Sequence, residues 1–514
     1  MLGWLKGGKV DHPLADAKRA QKIIGALSGS DSCKTLEDAN HWLGSINETA
    51  GFKLSHRFEL IGMLDLATHK AQERLIDAYL TLPERHRSQE KRIWQAATAF
   101  WKLMGDGYLE CARQSSRSAN VPVALKPQLP LVAICGMRAL RHQIKWILIR
   151  YGVVRTEIWG EIGYFATLAE SVGTMPQQID IYPGSHAQTS PAAEFLRTMM
   201  FWSALPSGLS PVEQDIAERL IVHLTPQFRF SSAQEEGSEY FFDLDGARPP
   251  MRLAPAAPVS AATRYFGVGE ARQALRALYL AVNAADYLPV GVYWGPAAER
   301  NAVVRVLRHL WLNWAEDMPP RAAGRRKSDA GLSSVHGYQS VLNVVVPRSS
   351  EGLTISITLL SDAWVVEDVS DGGCGVIVPE GKGEGLRVGM LVGLRLETDG
   401  SWQVGIIRRV KGHGYRQHHI GIQCLSKSAV PVYLRTLPGA RQGRKPENAI
   451  LLNERPSADG RMHLIVRRDM FSGREPIEAM IGNQVSAVTL EPGGVVETGD
   501  DFDWLHYELR VAAT

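Results

Sequence analysis

Apolar residues recur every three or four positions through most of the first 315 residues, and then every second position to the end of the chain. Over 54–82, Phe58, Ile61, Leu64, Leu66, Leu75, Ile76, Tyr79 and Leu80 stand among polar residues. That is the pattern of an amphipathic helix, and Pro83 supplies its stop. The same spacing predicts helices over 89–114, 131–151, 156–172, 193–204, 212–224, 269–285 and 297–316, with 176–191 as a loop. Between 228 and 253 the period shortens: F-R-F, E-Y-F-F-D-L-D-G and M-R-L predict a β hairpin turning at Asp245-Gly246. Pro319 and Pro320 end the last helix. Short β runs come next at 364–367, 374–378, 386–392, 392–396, 402–410 and 420–424, then, beyond a Gly/Pro/Arg linker at 438–446, at 448–452, 462–467, 485–490 and 502–509. The expected architecture is multidomain α+β. A mostly helical region, 1–318, with a small hairpin near 228–253, precedes an antiparallel barrel at 319–435 with a basic N-terminal arm and a second small β unit at 436–514.

Composition narrows the function without naming it. A chain of 514 residues is too long for one core. Its 57 Lys and Arg against 54 Asp and Glu leave a net charge of only +3, too little to imply DNA, RNA or an anionic membrane as a whole-chain partner. Cys33, Cys111, Cys135, Cys374 and Cys424 are scattered and form no C-x-x-C, so neither a zinc ribbon nor a disulfide framework is expected. A reducing, cytoplasmic location fits them. The N-terminus lacks a signal-like apolar run, and the apolar stretch at 129–134 is interrupted by Arg138, Arg141 and Lys145 before it could span a bilayer.

The enzyme motifs are missing too. The D-x-D-G at Asp243–Gly246 lacks the remaining acidic ligands of a calcium loop, and 381–385 lacks the Ser/Thr of a phosphate loop. His413, His418 and His419 read as a surface loop between strands, with no Cys or carboxylate cluster to complete a metal site. Neither catalysis nor a cofactor is expected.

One turn carries chemistry. Between the runs W-V-V-E and C-G-V-I-V lie Asp368, Ser370 and Gly373, spaced D-x-S-x-x-G. Such a turn could serve only to reverse the chain. It could also read guanine, whose Watson–Crick edge offers adjacent N–H donors to a carboxylate flanked by a hydroxyl. The turn D-V-S-D-G-G-C-G-V, the strand L-R-V-G-M-L-V-G-L-R-L, the strand W-Q-V-G-I-I-R-R-V and the closing H-I-G-I-Q-C together resemble the PilZ domain, a bacterial receptor module for cyclic di-GMP.

The resemblance covers about 320–430 and implies a PilZ-like barrel with cyclic di-GMP as its ligand. It also implies a paired R-x-x-x-R in the preceding arm, which Arg321-Ala322-Ala323-Gly324-Arg325 supplies, with Arg326 adjoining. On this basis Arg321, Arg325, Arg326, Asp368, Ser370 and Gly373 form the expected site, with arginine forks on phosphate or guanine. Apolar runs at 338–346 and 353–360 lengthen the spacing from Arg325 to Asp368, which implies either an inserted strand or an arm displaced from the pocket. The expected function is a cyclic di-GMP receptor that reorients its domains to control an unknown protein partner. The alternative is a scaffold or chaperone-like interaction protein whose PilZ-like barrel binds no nucleotide.

Overall fold

The fold is that of a computed structural model, which describes residues 10–27, 29, 31–83, 86–117, 126–182, 184, 188–254, 260–285, 287–316, 324–346, 362–383, 385–396, 400–413, 417–437, 446–453, 455–457, 460–481 and 487–509. Two compact units divide it: 1–206 with 211–318, and 207–210 with 319–514.

The first unit is built on helices α1 (Ala17–Gly25), α2 (Ser32–Glu48), α3 (Leu54–Thr81), α4 (Arg87–Arg117), α5 (Leu129–Leu148), α6 (Thr156–Ser171), α7 (Pro191–Ser203), α8 (Pro211–Leu224), α9 (Ala271–Ala284) and α10 (Arg300–Asn313). Helix α5 packs against α4, α6 and α7 and is buried almost end to end. The charges that interrupt its apolar run are buried with it. Arg138, Arg141 and Lys145 are three, four and seven residues apart and so share one face. That face meets Asp65 of α3 (2.9 Å from Arg138), Glu194 of α7 (3.3 Å from Arg141) and Asp215 of α8 (2.5 Å from Lys145). Glu218 of α8 contacts both Arg141 and Lys145. Burial opposes its ionisation, but Lys145 and Arg141 outweigh that and hold its carboxyl far below the usual range. No described helix is long and apolar enough to cross a membrane.

The loop at 176–191 contains a two-residue pairing, β1 (Ile179–Asp180) with β2 (Gln188–Thr189). The expected hairpin is part of something larger. Strands β3 (Arg229–Ser231), β4 (Tyr240–Asp243), β5 (Met251–Arg252) and β6 (Thr263–Gly267) form one antiparallel sheet in the order β3-β6-β4-β5.

The second unit holds two closed six-stranded barrels. The first uses β8 (Gly331–His336), β9 (Asp362–Ser370), β10 (Gly373–Pro379), β11 (Leu391–Leu396), β12 (Gln403–His413) and β13 (Gln417–Ser426). Pairing runs β8-β9-β10-β13-β12-β11 and back to β8, while β7 (Arg326–Lys327) adds to the outside of β9. The second uses β14 (Val430–Thr436), β15 (Glu447–Leu451), β16 (Arg461–Arg467), β17 (Ile477–Ile481), β18 (Val488–Thr498) and β19 (Phe502–Leu509), closed in the order β14-β15-β16-β19-β18-β17. Numbered within each barrel, both rings read 1-2-3-6-5-4. The two barrels have one connectivity.

Three local expectations change. Residues 338–345 form a helix, α11 (Tyr338–Val345), rather than an inserted strand. The run 386–392 is mostly a turn, with strand only from Leu391. Val430–Thr436 pairs with β15 and β17, so the C-terminal β unit begins near 430 and not at 436.

Helix α11 is what joins the barrels. It packs on β8 and β11 of the first and on β14 and β15 of the second. Val335, Val341, Leu391, Val404 and Ile406 then share one buried cluster with Ile450, Ile465 and Phe502. Polar ties reinforce it. The Tyr338 hydroxyl donates to the Asn448 carbonyl at 3.1 Å, and the Tyr338 N–H donates to Asp501 Oδ2 at 2.7 Å.

Candidate nucleotide-binding site

The β9–β10 turn is two residues, Asp371-Gly372, with Ser370 opposite Gly373. Gly373 has to be glycine because β13 passes so close: a Cβ there would lie 2.0 Å from the Ile422 carbonyl oxygen. The Ser370 hydroxyl donates to the Gly373 carbonyl at 3.2 Å, which steadies the turn. Asp368 sits beside a bulge in β9, where Gly375 faces Asp368 and Val376 faces Val366, leaving Glu367 as the extra residue. Asp368 Oδ1 accepts the Gly375 N–H at 3.0 Å, so the carboxylate is fixed from the barrel side.

The basic arm arrives from the other side. Arg325 Nη1 donates to both Asp368 oxygens at 2.9 Å, with 48% of the arginine side chain and 20% of the aspartate exposed. The long spacing from Arg325 to Asp368 therefore does not keep the two apart: β8 and α11 occupy the intervening chain as far as it is described, and β7 laces the arm to β9. Arg326 lies in β7, opposite Val369, exposed and outside the cleft lining. Arg321 lies outside the described residues.

Beside this pair opens a cleft of about 430 Å³, lined by Arg325, Ser370, Gly373 and Gly375 on one side and by Arg408, Arg409 and His419 on the other. Sequence alone does not single out the second group. His418 and His419 are in strand β13 and not in a loop, and His419 Nδ1 pairs with Glu367 at 2.8 Å. The doubled charge of I-I-R-R-V marks the place, since two consecutive charges in a strand break its alternation. A cavity of about 470 Å³ lies in the helical unit, but the Arg138, Arg141, Lys145 and Arg219 that line it are each already paired with a carboxylate. Among the described residues no group of three or more His, Cys, Asp or Glu could hold a metal ion.

The geometry is that of a basic cleft built around a D-x-S-x-x-G turn. Residues 18–235 match the family model for the N-terminal domain of the cyclic-di-GMP receptor FimW, and residues 362–431 match that for its middle PilZ domain. Over these two segments the chain matches the PilZ-domain receptor family. Together the two matches take in more than half of the chain, and the PilZ match contains Asp368, Ser370, Gly373, Arg408 and His419. Both family models describe a receptor. The helical region followed by a PilZ barrel is the arrangement of the two family models, and all but the first two residues of the second barrel lie beyond the matched segments. No curated protein matches the chain.

Proposed function

We propose that the chain is a cyclic di-GMP receptor whose nucleotide binds in the first-barrel cleft and thereby changes how the chain engages a protein partner. The observation that carries this reading is the meeting of Arg325 and Asp368 at the edge of the cleft. Each is the kind of group the ligand needs: a guanidinium fork for phosphate or guanine O6/N7, and a carboxylate for the guanine N–H edge. Their ion pair is part-exposed, and such pairs contribute about 0–1 kcal/mol. A ligand offering charge-assisted bonds to both partners outcompetes it.

In this reading Asp368 and the Ser370 hydroxyl face guanine, Gly373 and Gly375 let the base approach the backbone, and Arg325, with Arg321 and Arg326 of the arm, closes over the nucleotide. Binding strengthens the hold of β9 on the arm that β7 already laces to it and so restricts the segment between the two units, a population shift rather than a chemical step. Titration calorimetry with cyclic di-GMP on the full chain tests it. Micromolar or tighter binding is expected, and a folded chain that takes up no nucleotide would show that the barrel is retained as a scaffold.

A further inference from the structure

Arg408 is the extra residue of a second bulge. In β12, Ile407 faces Ile422 and Arg409 faces Gly421, so Arg408 has no partner across the ladder and its side chain leaves the strand's alternation. It lines the nucleotide cleft, where its Nε donates to Gln423 Oε1 at 2.8 Å. Its other two nitrogens leave the first barrel altogether. Nη1 and Nη2 donate in parallel to Glu497 Oε1 and Oε2 of β18, at 2.6 and 2.7 Å. Glu497 is also next to a bulge: Val495 faces Leu505 and Glu497 faces Trp504, which leaves Val496 over. Irregularities in two strands thus aim a cation and a carboxylate at each other across the barrel boundary, at the edge of the cleft.

We propose that Arg408 is a phosphate ligand of the cleft that Glu497 holds while no nucleotide is bound, so that binding exchanges the carboxylate for a phosphate and releases the β18–β19 turn. The inference rests on the cleft taking cyclic di-GMP. A phosphodiester and a carboxylate present the same pair of acceptor oxygens to the same planar fork, so Arg408 can serve either but not both with full geometry. The pair is part-exposed, with 34% of Arg408 and 14% of Glu497 accessible, which keeps the cost of breaking it low. The release is local. Two further carboxylates of the same turn stay tied to the first barrel, Asp500 to Arg387 Nε at 2.5 Å and Asp501 to the Tyr338 N–H at 2.7 Å, and neither tie involves a residue lining the cleft. The turn would loosen at its Glu497 end while the shared core holds the barrels together.

The test is titration of cyclic di-GMP into the parent chain, Glu497→Gln, Arg408→Ala, the double variant and Asp500→Asn, at one fixed salt concentration. Glu497→Gln keeps the shape and removes the competing charge, so it should tighten binding about three- to tenfold. Arg408→Ala should weaken binding, and in its background Glu497→Gln should have no effect. Asp500→Asn breaks another inter-barrel pair and should leave affinity unchanged. Hydrogen exchange over 495–504 should rise when nucleotide is added to the parent and should already be high in Glu497→Gln. Unchanged or weaker binding by Glu497→Gln overturns the exchange while leaving the nucleotide site intact. Equal tightening by Asp500→Asn overturns it as well, since loosened barrels would then suffice. No binding by the parent chain overturns the nucleotide reading itself, and the exchange with it.

Discussion

The two barrels share one strand order, and among the described residues the basic cleft set out above lies in the first. The difference sits in the turn between the second and third strands. In the first barrel Asp368 Oδ1 accepts the Gly375 N–H across the ladder at 3.0 Å, and in the second Asn453 Oδ1 accepts the His463 N–H across the equivalent pair of strands at the same distance. Both barrels therefore need a short acceptor side chain there. The rest of each side chain is used differently. The Asn453 amide spends its donors on the turn itself, on the carbonyls of Arg455 and Arg461 at 2.6 and 3.2 Å. Asp368 has charge, and its second oxygen points out to Arg325. A carboxylate in place of an amide, together with a basic arm, turns a structural acceptor into a candidate recognition site. Fold does not imply function, so a shared strand order does not by itself carry a ligand site from one barrel to the other.

The largest expected effect tests how separate the barrels are. Phe502 belongs to the second barrel but is fully buried in the cluster shared with the first. Phe502→Ala should cost about 3–5 kcal/mol. It should lower the stability of both barrels in one transition, which thiol labelling can follow because Cys374 and Cys424 lie in the first barrel and the chain after 424 has no cysteine. Protection of both thiols after loss of the second barrel's structure would show two independent units.

Next in size is the turn. Asp368→Ala should weaken cyclic di-GMP binding by about 2–3 kcal/mol, the scale of a charge-assisted acceptor lost from a site. Asn453→Ala, at the matching position of the other barrel, should leave affinity within error while still costing stability. Calorimetry on the two variants separates the barrels directly, and equal losses would erase the contrast.

Much of this arrangement is legible in the sequence, and the failures have physical reasons. The long helices are plain because their apolar spacing persists for many turns. Strands β9, β10, β12 and β13 are plain because both alternation and turn residues mark them. Strand β14 is lost to its neighbour because Pro431 in its second position weakens a strand signal, while the linker at 438–446 draws the boundary too late. Helix α11 is a short apolar run, which periodicity alone cannot tell from a buried strand. Asp368, Ser370 and Gly373 are visible as a spacing, whereas the role of Arg408 is hinted at only by the doubled charge of I-I-R-R-V. Arg408 owes its place to a bulge and its partner lies 89 residues away, neither of which a local pattern can show.

The arm supplies a smaller test. Arg325→Lys keeps the charge but loses the fork, so it should weaken binding by about 1–2 kcal/mol, nearly as much as Arg325→Ala, whereas a diffuse electrostatic role would let Lys restore it. Titration at two salt concentrations distinguishes these outcomes. In the second barrel Asn453 makes the hydrogen bond that Asp368 makes in the first, and its neutral amide cannot form the ion pair that Arg325 makes with Asp368.

The smallest effect is a rate. Burial pushes the Cys374 thiol up to about 12, with the Cys424 thiol and Asp368 adding to it, and burial raises Cys424 as well. Both thiols should therefore stay protonated at pH 8. Alkylation of the folded chain should be slow there, without the rise between pH 8 and 9 that an ordinary thiol shows. Fast labelling at pH 8 would show that the first barrel opens more readily than its packing implies.

The most direct measurement is a hydrogen-exchange footprint of the full chain with and without saturating cyclic di-GMP. The account predicts protection over 324–328, 367–375 and 419–423 and none over the matching turn of the second barrel, 451–463. Protection at 451–463, or none around Asp368 in a chain that binds the nucleotide, would contradict it.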